Sequence, residues 1–146
     1  MSLNRLALFT FLILGGCATS GTISIHELNI SLNELQKIVI DNTPIKVRRQ
    51  SSNGREFYSE YFIEKKGQYV EAINAPVRMT AALFLLGDRR PYTIEIKVLV
   101  ESRGSGASYS VVKHDEGIAR VISRRIEKTL YQRREDRNII DDFRVF

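Results

Sequence analysis

Hydrophobic and polar positions alternate with different periods along this chain, and each change of period marks an element. Residues 6–14 are mostly apolar and lack any such period. Alternation at period two begins at residue 22, with Ile23 and Ile25 on one side of an expected first strand and Ser24 and His26 on the other. Ser31-Leu32-Asn33-Glu34 then matches a capping box, in which a hydroxyl and a carboxylate each satisfy an orphan backbone N–H. Leu32, Leu35, Ile38 and Val39 recur at helical spacing and predict a helix over residues 32–40, ended by Asp41-Asn42-Thr43-Pro44.

Period two returns after Pro44, with Ile45 and Val47 on alternate positions. In a later run Phe57, Ser59, Tyr61 and Ile63 share one face, and Tyr58, Glu60, Phe62 and Glu64 share the other. Both faces of that run therefore carry aromatics, and an exposed Tyr58–Phe62 pair would form a docking surface. Ser51-Ser52-Asn53-Gly54 predicts a hairpin turn, and Lys65-Lys66-Gly67 a second reversal. The segment from Val77 to Leu86 fits either a buried helix between Pro76 and Gly87 or a strand. Its match in length to residues 92–101, across the polar connection 87–91, favours two paired strands. Residues 92–101 give the cleanest alternation, with Tyr92, Ile94, Ile96, Val98 and Val100 on one face.

A short strand is expected from Tyr109 to Lys113, and Asp115 or Glu116 can cap the helix that follows. Ile118, Val121, Ile122, Ile126 and Leu130 form an apolar stripe over residues 117–134, opposite Arg120, Arg124, Arg125, Lys128, Arg133 and Arg134. Glu135-Asp136-Arg137 interrupts the stripe, leaving Ile139, Ile140, Phe143 and Val145 as an apolar tail for a last strand or a partner. The expected fold class is α+β: a mainly antiparallel sheet with two helices packed on one face.

Reactive groups are few. Cys17 is the single cysteine, so no disulfide can form within the chain, and His26 and His114 are the only histidines. His114-Asp115 with Ser110 is the one conceivable catalytic grouping, and neighbouring strand residues point to opposite faces. No nucleophile elbow, phosphate loop or zinc-protease motif occurs, so no enzyme activity, cofactor or metal site is expected. The formal charge of +5 falls to +4 without Arg5, a balance that suits anionic partners. Arginine forks bind phosphate and carboxylate in bidentate fashion, which makes Arg120, Arg124, Arg125 and Lys128 the candidate site for lipopolysaccharide, anionic lipid or an acidic partner.

The N-terminus carries the most specific signal. Arg5 followed by the apolar run 6–14 reads as a secretory signal peptide, too short to span a bilayer comfortably. It ends in Leu14-Gly15-Gly16-Cys17, which resembles the bacterial lipoprotein box of an aliphatic residue and two small residues before a cysteine. The resemblance implies a signal peptide over 1–16, a Cys17 thiol carrying a diacyl anchor, an acylated tether over 17–22, and one periplasmic domain over 23–146. Ala18 stands where an aspartate would resemble an inner-membrane retention signal, so the outer membrane is the expected address. In size, strand-then-helix order and basic character the domain is similar to the lipoprotein subunit of the lipopolysaccharide transporter. That likeness implies an accessory role in an envelope assembly or transport complex, against the alternatives of an anionic-lipid binder or a peptidoglycan tether. Nucleic acid is not an expected partner across a membrane.

Overall fold

The computed structural model describes residues 21–142, with side chains from 21 to 135. Cys17, the signal segment 1–16 and the tail residues Phe143 and Val145 lie outside the described residues. The elements run β1 (Thr22–Leu28), α1 (Leu32–Asn42), β2 (Val47–Gln50), β3 (Glu56–Ser59), β4 (Phe62–Lys65), β5 (Gln68–Glu71), β6 (Val77–Leu86), β7 (Tyr92–Arg103), β8 (Tyr109–His114) and α2 (Glu116–Asp142). The fold is α+β, with one eight-stranded antiparallel sheet and both helices on the same face.

β6 and β7 form the spine of the sheet. They pair without a register shift from Val77 opposite Ser102 to Leu86 opposite Thr93, so the segment from Val77 to Leu86 is a strand. Along the free side of β7 lie β1 and then β8; along the free side of β6 lie β3 and then β4, flanked by β2 and β5. The inner face of the spine is Met79, Ala81, Leu83 and Leu85 against Val100, Val98, Ile96 and Ile94. Tyr92, Ile94, Ile96, Val98 and Val100 are all buried, as their alternation predicts.

The helices close that face. Leu35, Ile38 and Val39 of α1 are fully buried, and Ser31 Oγ accepts a hydrogen bond from Glu34 N at 3.3 Å as the N-cap. The helix runs two residues past Ile40, and Thr43 closes it by donating its N–H and its hydroxyl to Ile40 O and Val39 O. In α2 the buried stripe is Ile118, Ala119, Ile122, Ser123 and Ile126, while Val121 faces outward. A side chain at 121 sits about 100° around the helix from 122, and the small residues Ala119 and Ser123 complete the inner face in its place. Each fully buried Leu, Ile or Phe of this core contributes about 1.5–3 kcal/mol by leaving water.

Three further expectations are corrected. Glu135-Asp136-Arg137 does not end α2, which continues through Ile139 and Ile140 to Asp142. No proline or glycine interrupts residues 118–142, and the Tyr131 hydroxyl bonds Glu135 one turn on, so nothing stops helix propagation there. The run 57–63 is not one strand of constant parity. β3 meets β6 with Tyr58 opposite Ala82, but β4 meets it with Phe62 opposite Met79, so the outer chain takes four steps while β6 takes three. That extra residue is a β-bulge, and it reverses which positions face inward. Phe57 and Phe62 are consequently both fully buried, and no exposed Tyr58–Phe62 pair exists. Ser59 Oγ holds the bulge by accepting from Ala81 N at 2.9 Å and donating to Glu60 O at 2.7 Å. Ile45, expected to begin a strand, instead takes a positive φ of 63°, and β2 starts at Val47.

Candidate functional site

The basic residues of α2 do not converge. Arg120 pairs with Glu116 one turn back, and Arg133 lies 3.5 Å from Asp41 at the end of α1. Arg125 turns the other way, its guanidinium 5.2 Å from the centre of the Tyr69 ring. Together with Asp41, Asn42, Thr43, Pro44 and Gln68 these two residues line an open groove of about 400 Å³. The groove's polar side chains are largely committed: the Asn42 amide donates to Ile38 O and Thr129 Oγ1, and the Thr43 hydroxyl to Val39 O. Burial pushes the Tyr69 phenol above its usual range, opposed by the Arg125 charge and reinforced by Glu64 and Asp115. Arg124 and Lys128 are exposed and, among the described residues, have no carboxylate within 4 Å. The four candidates thus divide into an internally paired cation, a ring-stacked cation and two solvated ones.

The other reactive groups are equally dispersed. His26 sits on β1, its ring 3.3 Å from Thr93 Oγ1. His114 ends β8 with its side chain against Gly21, and the Asp115 carboxylate caps α2 by accepting from Ile118 N at 3.0 Å. No group of three or more metal-ligating side chains occurs among the described residues, and no helix there is long and apolar enough to cross a membrane.

The most organised polar feature lies on the sheet face away from the helices. Arg78 is charged yet only 8% exposed. Its guanidinium lies between the rings of Tyr61 and Tyr109, 3.4 and 3.5 Å from their centres. It also donates to Glu101 Oε2 at 2.9 Å and to Ile73 O at 2.6 Å. Beyond Tyr61 stands Arg48 at 4.4 Å, while Arg103 donates to the Tyr109 hydroxyl from Nε at 3.1 Å and from its terminal nitrogen at 2.7 Å. The result is an alternating Arg48-Tyr61-Arg78-Tyr109 stack with Arg103 bonded at its end. Alongside it, Arg49 covers the Tyr58 ring at 4.1 Å, Tyr58 meets Phe84 edge to face at 6.1 Å, and Lys97 lies 5.5 Å from Phe84.

Bulges build this face. In β2, Val47 opposes Ser59 and Arg49 opposes Tyr58, which leaves Arg48 as an extra residue and turns both arginines to the outer side. The bulge after Ser59 does the same for Tyr61. Arginine held flat on an aromatic ring loses less freedom when its fork engages an anion, because the stack has already fixed its plane. Arg48, Arg49, Lys97 and Arg103 have no carboxylate within 4 Å among the described residues, so only the central Arg78 is neutralised by an ion pair. No reading of local sequence assembles this stack, since its members and Arg103 come from β2, the β3–β4 connection, β6, β7 and β8. Comparison of the chain with protein-family models, curated proteins and solved structures finds no match.

Proposed function

We propose that this chain is a lipid-anchored, non-catalytic accessory subunit of a bacterial envelope assembly or transport complex, held at the outer membrane and facing the periplasm. The observation that carries the reading is the lipobox-like Leu14-Gly15-Gly16-Cys17 placed directly ahead of the folded domain. β1 begins at Thr22, so only residues 18–21 separate Cys17 from the sheet. Four residues reach about 14 Å at most, which keeps the domain close to whatever membrane holds the anchor. Two acyl chains on the cysteine suffice for stable attachment, where one gives only marginal binding.

The dispersal of His26, His114 and the carboxylates supports a binding role over a catalytic one, because general acid–base or nucleophilic chemistry needs such groups within hydrogen-bond reach. The face of stacked arginines and aromatics has the composition of a recognition surface. Cys17→Ser is the direct test. The substituted chain is expected to move from the membrane to the soluble periplasmic fraction and to lose the mass of its acyl chains. Normal membrane association and mass in that variant would overturn the anchor and the role built on it.

A further inference from the structure

We infer that the outer face of the sheet, centred on Arg48, Arg49 and Lys97 and backed by the Arg78 stack, is the docking surface for an acidic segment of a protein partner. The inference deepens the accessory-subunit reading and rests on it for where the partner is found. Both helices cover the opposite face, so nothing of this chain among the described residues lies over these side chains. Arg48 uses only its Nε–H, toward Ser59 O at 3.4 Å, and Arg49 stacks on Tyr58 while its N–H groups make no hydrogen bond among the described residues. Both forks therefore retain donors, in planes already set by their rings.

Charge pattern selects the partner. The same face carries Glu56 opposite Phe84, and Glu95 opposite both Phe84 and Ser24, in the row of residues next to that of Arg49 and Lys97. A uniformly anionic lipid surface would be repelled by these carboxylates, whereas a protein face can place its own Asp and Glu against the arginines and leave Glu56 and Glu95 to donors. The uncharged remainder is the part-exposed Phe84, Leu99 and Tyr58 and the exposed Val111, which gives the aromatic, arginine-rich and lysine-poor mixture typical of protein interfaces. The cations in question are largely arginine, whose planar fork matches a carboxylate in two parallel hydrogen bonds.

The test is photo-crosslinking of the full-length chain in its native membrane, with a photoreactive phenylalanine at Ser24 or Val111 on the outer face and at Lys128 on α2. A discrete protein adduct is expected from Ser24 and Val111 and not from Lys128, with the crosslinked peptide rich in Asp and Glu. Arg48→Glu with Arg49→Glu should reduce that adduct at least tenfold, and Lys97→Glu alone should weaken it. Thermal melts keep the result interpretable, since exposed substitutions of this kind are expected to move the midpoint by no more than ~3 °C. If the double variant does not fold, Lys97→Glu carries the comparison. Adducts to lipid alone, adducts confined to Lys128, no adduct at either outer-face position, or an adduct unchanged by charge reversal would each overturn the inference. An outer-face failure with normal release of the Cys17→Ser form would remove the docking face and leave the anchored role standing.

Discussion

Arg78→Ala removes the arginine held between Tyr61 and Tyr109, and the structure sets what that should cost. The guanidinium lost is bonded to Glu101 and Ile73 O, and covered on both sides by tyrosine rings. The Glu101 side chain is only 14% exposed, so truncation leaves a carboxylate with little water and no counter-charge. Breaking a buried pair from one side costs about 3–5 kcal/mol. A desolvated cation–π contact is worth about 2 kcal/mol, but that loss overlaps the first and is not added to it. Against a total stability of about 5–15 kcal/mol the change is large, and at about 4 °C per kcal/mol it lowers the midpoint by roughly 12–20 °C. Arg78→Met with Glu101→Leu removes both charges while keeping volume, and should recover to within about 2 kcal/mol of the parent. Arg78→Lys keeps the charge without the planar stack and should fall between them. Urea unfolding followed by far-UV circular dichroism measures all of these, with a double-mutant cycle on positions 78 and 101. A loss below about 1 kcal/mol for Arg78→Ala, or a double variant as unstable as the single one, would show that the stack is a solvated surface arrangement and refute the argument.

Two other perturbations probe the supporting structure. Ser59→Ala leaves the Ala81 N–H buried without its acceptor, and should cost about 1–3 kcal/mol by urea unfolding; Ser123→Ala, whose hydroxyl faces only Glu127, should cost under about 0.5 kcal/mol. Tyr69 is held above its usual pKa in the fold by burial, so the native chain keeps this proton above pH 10, where the unfolded chain has released it. Its contribution to stability is full below pH 10 and declines as pH rises further, because there the unfolded state binds fewer protons. Tyr69→Phe should flatten the decline in melting temperature above pH 10 relative to the parent; an identical slope in both would exclude Tyr69 as its source.

The parts of the fold that sequence made legible are those where one periodicity runs uninterrupted. β7 reads correctly because it pairs with β6 in constant register from Thr93 to Ser102 and keeps its own alternation from Tyr92 to Val100. α1 reads correctly because a Ser cap and a proline bracket a stripe at helical spacing. The length of α2 was not legible, since a cluster of charged residues resembles a break although glutamate and arginine propagate a helix well. Val121 was misplaced for a related reason: hydrophobicity nominated it for the inner face, but Ala119 and Ser123 fit the close approach to the sheet.

The site was the least legible part, and the cause is geometric. A period-two reading carries parity forward from residue to residue, so each bulge inverts every assignment that follows it. Here the shifts fall on the outer strands: at Arg48 in β2, after Ser59 between β3 and β4, between Ile25 and Leu28 in β1, and at Val112 in β8. None falls between β6 and β7. The spine can therefore be read from alternation, while the faces of the flanking strands cannot. Two of those shifts also deliver Arg48, Arg49 and Tyr61 to the side away from the helices, where they meet Arg78 and Tyr109. Bulging thus accounts both for the failure of the aromatic assignment and for the existence of the stack. It follows that the basic stripe of α2, evident from spacing alone, was the easier candidate to find and the weaker one, because its cations are divided among Glu116, Asp41, Tyr69 and water.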